Sequence, residues 1–130
     1  MSESITIVLP LPGKRLQPNE TVGSLGGRFA KAAVVKKYRR ITRKAIDEEQ
    51  IETMPWPRVT VLAAFFHATK RRRDQDNAMG SLKAAYDGIV DSGLVKDDDY
   101  KHMERGIPTF GSDSESPRVE LTITRQEMQQ

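Results

Sequence analysis

The run that most constrains this chain is VTVLAAFFH, Val59 to His67, which carries no charge before its final histidine. A strand apolar on both alternating faces must be covered on both, so this run is expected to be the central, doubly covered strand of a sheet. Pro55 and Pro57 stand just before it and stop any preceding helix. Two other runs can pair with it. Ser4 to Leu9 (SITIVL) is β-branched and ends at Pro10 and Pro12, and Val119 to Thr124 alternates Val119, Leu121 and Ile123 against Glu120, Thr122 and Thr124. Tyr100 to Phe110 is a less regular strand candidate, separated from the last by the turn GSDSESP.

Between the strands the apolar period changes. From about Arg28 to Glu49, Ala30, Val34, Tyr38, Ile41 and Ala45 recur at spacings of four and three, as on one face of a helix. A second helix is expected from a cap at Asp76 or Asn77 to about Ser92, with Met79, Leu82, Tyr86, Ile89 and Val90 inward and Gly93 as its stop. The order is strand, helix, strand, helix, strand, strand. With 130 residues there is material for one core. The reading is a single α/β (α+β) domain over 1–130, two-layered, with two main helices on a small mixed sheet. The Gly- and Pro-rich stretch 10–27 is expected to be a flexible loop, and 125–130 a frayed tail.

There is no cysteine, which excludes disulfides and thiolate metal sites and suits a reducing, cytoplasmic setting. No apolar run nears the roughly 18 residues of a membrane helix, and the N-terminus lacks the basic start of a signal peptide. The net charge of +3 conceals segregation: Arg28 to Lys44 holds eight basic residues and no acidic one, while Asp74 to Asp99 holds seven aspartates and two lysines. Basic surface calls for a polyanion and concentrated aspartate for a divalent cation, and phosphodiester chemistry uses both.

RRRDQDN, residues 71 to 77, puts the two charge types side by side. In an extended segment Asp74 and Asp76 project to one side and could aim both carboxylates at one point. Mg²⁺ takes oxygen ligands of this kind, completing its shell with water and substrate phosphate. Asp97 and Asp98 can join that pair only if the chain folds back along the second helix. An EF-hand is rejected, because Met79 and Ala85 occupy its glycine and glutamate positions. Lys83 can pair with Asp87 across one turn or serve a phosphate. Arg71, Arg72 and Arg73, with Lys36, Lys37, Arg40, Arg43 and Lys44 on the basic face of the first helix, are candidates for phosphate contacts. His67 and His102 are expected to be structural or exposed, and Trp56 an anchor.

The run RRRDQDN followed by LKAAYDGIVDSGLVKDDD resembles the RusA family of Holliday junction resolvases. The shared pattern is D-x-D-N, a helical lysine, an aspartate, a glycine and a paired Asp-Asp, here Asp74, Asp76, Asn77, Lys83, Asp87, Gly93 and Asp97-Asp98. ITIVLPLPGKRLQPN and VELTIT are similar to the family's opening and closing segments. The resemblance implies a small homodimer that cuts four-way DNA junctions with Mg²⁺, for which Mn²⁺ can substitute. Its catalytic residues would be Asp74, Asp76, Asp98 and Lys83. Metal would fall to Asp74, Asp76 and Asp97 or Asp98, and Asn77 and Asp87 would support them. Five residues separate Asn77 from Lys83, three more than in well-known members, an offset of roughly 4.5 Å along a helix. The main alternative is a phage accessory protein that binds junctions without cutting them. A D-x-D phosphatase is a further class, disfavoured because arginines precede the pair where a buried apolar strand is usual.

Overall fold

The computed structural model describes residues 3–17 and 23–127. Five strands, β1 (Ser4–Leu9), β2 (Arg58–His67), β3 (Met103–Arg105), β4 (Thr109–Ser112) and β5 (Arg118–Gln126), form one mixed sheet. The order is β1-β5-β2-β3, with β4 also on β2. β5 runs antiparallel to both β1 and β2, whereas β3 and β4 lie parallel to the first and second halves of β2. The helices are α1 (Leu25–Asp47), α2 (Gln75–Ser81) and α3 (Lys83–Asp91). The single mixed-sheet α+β domain expected from the pattern is therefore observed.

Period-two alternation sets the core. Val59, Val61, Ala63 and Phe65 of β2 lie level with Val119, Leu121 and Ile123 of β5 and with Ile7 and Leu9 of β1, all buried. The opposite face differs from expectation. Thr60, Leu62 and Ala64 face out beside Thr122, Thr124 and Thr6, and Leu62 is 48% exposed. Among the described residues, β2 is central but covered on one side only. Its outward apolar residues sit among hydroxyls, with Thr6 and Thr122 within hydrogen-bond distance at 3.1 Å.

α1 begins at Ser24, whose hydroxyl accepts from Gly27 N. Its buried line is Tyr38, Thr42 and Ile46, one position round from the predicted stripe, with Val34, Ile41 and Ala45 half-buried beside it. Thr42 is tolerated in the core because its hydroxyl donates to Tyr38 O at 2.9 Å. Tyr38 in turn donates to Pro10 O at 2.6 Å, and burial raises its pKa. Against Thr42 lies Gly88 of α3, where a Cβ would meet Arg39 O and Thr42 Cβ at 2.7 Å each. Only glycine lets the two helices approach this closely.

The second predicted helix is two. Leu82, wholly buried, takes φ −92° and ψ 6° and divides α2 from α3. Gly80 and Ser81 precede it, both weak helix formers, and Ser81 Oγ turns back to donate to Ala78 O. α3 ends as expected at Gly93, with φ 87°. The following pair, Leu94 and Val95, is buried, and Trp56 N donates to Leu94 O at 2.6 Å. Trp56 is thus the anchor expected of it. The Tyr100–Phe110 candidate resolves into β3 and β4, broken where Gly106 passes under Leu62 and Pro108 lacks an N–H.

Two segments expected to be mobile are partly ordered. Within 10–27, Lys14–Leu16 forms a 3-10 turn with Leu16 buried and α1 starts at Leu25, while 18–22 fall outside the described residues. Within 125–130, Arg125 and Gln126 belong to β5, Arg125 is tied to Glu3 at 2.8 Å, and 128–130 lie outside the described residues.

Candidate functional site

β2 delivers the chain to the first acidic pair. Asp74, not Asp76 or Asn77, caps α2: its Oδ1 accepts from Asp76 N at 2.9 Å and Asn77 N at 3.2 Å. Asp76 lies in the first helical turn, so the two carboxylates do not share an extended segment as expected. Both residues are exposed. Asn77 donates its side-chain amide to Gln17 Oε1, which pins the loop after β1 against α2. Arg71 and Arg72 are exposed, while Arg73 is half-buried and donates to Thr69 O. Arg73, Asp74 and Asn77 share a small cleft of about 90 Å³ with Pro12, His67 and Phe110.

His67, expected to be structural or exposed, is half-buried and lines this cleft. Its ring stacks on Phe65 with centroids 6.0 Å apart. Burial, then the nearby Arg73 charge, lowers its pKa, so it is neutral near pH 7. The sequence signal was its position as the last residue of the apolar run, directly before the arginines.

The second acidic group forms farther along. The chain does fold back after α3, and Asp98 meets Lys83, with Nζ donating to Asp98 Oδ2 at 2.6 Å and to Asp87 Oδ1 at 3.0 Å. Arg105 of β3 donates to both Asp98 Oδ2 and Asp98 O at 3.1 Å, and its guanidinium lies 4.2 Å from the centre of the Tyr86 ring. The Asp98 side chain is 20% exposed. Its pKa is lowered chiefly by Lys83 and further by Arg105, and that of Lys83 is raised chiefly by Asp98, then by Asp87. Arg105 went unrecognised in the sequence, where nothing marks an arginine on an irregular strand as the neighbour of an aspartate seven residues earlier.

The three consecutive aspartates divide the work. Asp97 Oδ1 accepts from Asp98 N at 2.7 Å, and Asp99 accepts from the backbone N–H groups of Lys101 and His102 while meeting His102 Nδ1 at 2.6 Å. Asp99 therefore closes a turn, and His102 is structural as expected. Only Asp98 faces Lys83.

These positions bear on the expected metal. Among the described residues no three carboxylate or histidine side chains converge closely enough to hold a metal ion. A single site built from Asp74, Asp76 and Asp97 or Asp98 does not fit this arrangement. Mg²⁺ commonly takes only one or two protein carboxylates, the rest of its shell being water and substrate phosphate. Of the acidic pair, Asp74 Oδ1 is committed to the cap, and the oxygens that would be left to such an ion are Asp74 Oδ2 and those of the exposed Asp76.

The basic face of α1 is present. Lys36, Lys37, Arg40, Arg43 and Lys44 are exposed, and a groove of about 630 Å³ runs beside Val35, Lys36, Arg39, Arg40 and Arg43. Arg39 grips Asp91 with two bonds of 2.8 and 2.9 Å and so joins α1 to the end of α3. Among the described residues no helix is long and apolar enough to cross a membrane. No protein-family model matches the chain, and no curated protein matches it.

Proposed function

We propose that the protein acts on branched DNA as a Mg²⁺-dependent endodeoxyribonuclease that cuts four-way junctions, as a homodimer in the cytoplasm of a bacterium or a phage-infected cell. One observation carries the reading. The fold-back after α3 brings Asp98 to 2.6 Å from Lys83, so elements of the RusA-like pattern that lie fifteen residues apart meet at one place. Mg²⁺, where bound, supplies Lewis acidity toward the scissile phosphate. The chain's own residues supply the rest. Arg71, Arg72 and Arg73 lead into Asp74 and hold flanking phosphates. Lys83 offsets charge on the phosphate under attack once DNA competes with Asp98 and Asp87 for its ammonium. The α1 cations grip a duplex arm, with affinity that falls as salt rises. Two identical sites related by a twofold axis match the symmetric pair of cuts a junction requires.

A second reading is favoured by a specific observation. The three-carboxylate set is not gathered among the described residues, and Asp98 is held by two cationic side chains. A protein built this way can bind junctions without cutting them. A mobile four-way junction labelled on both strand ends, incubated with Mg²⁺, Ca²⁺ or EDTA, separates the two. Paired symmetric nicks bearing 5′ phosphates in Mg²⁺ alone support the nuclease, while retarded but intact junction in all lanes leaves the binding protein. Hydrolysis of small phosphate esters with intact junctions would instead point to a phosphatase.

A further inference from the structure

Among the described residues, one face of α1 is left exposed. At about 3.6 residues per turn, Leu25, Phe29, Ala32, Lys36, Arg40 and Arg43 make one stripe, about a third of a turn round from the buried Tyr38, Thr42 and Ile46. All six are exposed, Leu25 and Phe29 at 66% and 67%. The stripe changes character midway, apolar and aromatic toward the start of the helix and cationic toward its end. Around it the helix carries eight basic residues and no carboxylate from Arg28 to Lys44.

That charge pattern selects the occupant. A second copy laid along the stripe, in either direction, would bring together two helices that each carry eight cations and no carboxylate from Arg28 to Lys44, and an uncharged partner would leave Lys36 and Arg40 without counter-charge. A nucleic acid with unstacked bases satisfies both halves, phosphates meeting the cations and a base face meeting the ring. Continuous duplex offers only the phosphates. We infer that Phe29, with Leu25 beside it, stacks on an unstacked base at a DNA branch point while Lys36, Arg40 and Arg43 hold the adjoining arm. From Phe29 to Arg43 the helix rises about 21 Å, matching about six phosphates of one strand. The inference rests on the branched-DNA reading above but needs only binding, not cleavage.

The test compares a four-way junction carrying 2-aminopurine at the crossover with linear duplex of the same sequence, in Ca²⁺ and then in Mg²⁺. Wild type, Phe29→Ala and Phe29→Tyr are titrated, with circular dichroism reporting the fold. Base stacking sets the expected loss: Phe29→Ala binds the junction about tenfold more weakly, leaves duplex affinity within about twofold, and abolishes the fluorescence change at the crossover. Phe29→Tyr restores both. Equal loss on both DNAs, or no loss on either, overturns the inference. So does a Phe29→Ala protein that has only lost self-association in light scattering, or one that has only lost binding to phosphatidylserine vesicles. Wild type that binds no DNA removes this inference and the branched-DNA reading together. Wild type that shows the Phe29 effect yet never nicks in Mg²⁺ keeps the stacking and removes the nuclease.

Discussion

The start of α2 and the flank of α3 both present aspartates, and the two regions hold them in opposite ways. Asp74 and Asp76 are exposed, and among the described residues the bonds Asp74 makes are to backbone amides of the helix it caps. Asp98 is mostly covered and gripped by Lys83 and Arg105, and Asp91 is gripped by Arg39. Identical side chains are therefore free to take a cation in one place and already neutralised in the other. Where a carboxylate is paired by guanidinium or ammonium, a metal must displace those cations; where it is paired by N–H groups, one oxygen stays open.

Asp76→Asn tests the open region most severely. On the nuclease reading it removes a metal-binding oxygen worth several kcal/mol at the transition state, so junction cleavage falls by at least about a thousandfold. Junction binding in Ca²⁺, followed by gel shift, is expected to stay within about twofold. Binding that falls in step with cutting would make Asp76 a structural residue and erase the contrast between the two regions.

Gly88→Ala acts on the second region, at the point where α3 crosses α1. A methyl group there would sit 2.7 Å from Arg39 O and from Thr42 Cβ. The helices must separate, at an expected cost of about 1–3 kcal/mol, read by urea denaturation. If the Lys83–Asp98 network depends on how α3 is seated, cleavage falls along with stability, while a stable variant would mean that the crossing has slack. Lys83→Met removes the shortest contact of Asp98 but leaves it Arg105. Its stability cost is expected to be about 1 kcal/mol or less, whereas on the nuclease reading cleavage is lost and then partly restored in Lys83→Arg. Equal cleavage by Lys83→Met and wild type would assign the lysine to the ion pair alone.

How far these features could be read in advance follows from the range of the interaction that creates each one. The inward residues of β5 were legible because period two is local: Val119, Leu121 and Ile123 are buried as the alternation requires, whereas β2, apolar on both faces, gave no sign that Leu62 would stay exposed. The Gly93 stop was local as well. Thr42 was missed because its burial depends on Gly88, forty-six residues away. The break at Leu82 was written in Gly80 and Ser81, yet the helical spacing of Met79, Leu82 and Tyr86 runs across it and concealed it. For the site, the fold-back to Lys83 was legible only as a condition. That Asp98 meets Lys83 while Asp99 closes a turn is set by backbone direction over two residues, which three identical side chains cannot encode. Arg105 reaches Asp98 only because β3 pairs with β2, a long-range event.

The smallest effect probes the paired region through Asp91. Arg39 donates to both of its oxygens and holds its pKa below the ordinary value. A carboxylate depressed in the folded state stabilises above its unfolded pKa, about 3.9, and loses that contribution as pH falls through the lower folded value. Both partners are about a third or more exposed, so solvent screens the pair and Asp91→Asn should cost only about 0.2–1 kcal/mol at pH 7. Urea titrations at pH 7 and below pH 3 measure it: the gap between wild type and variant should narrow in acid. A gap that persists unchanged would mean that Asp91 acts through shape at the α1–α3 contact rather than charge, and the pairing contrast between α3 and the start of α2 would then reduce to the single residue Asp98.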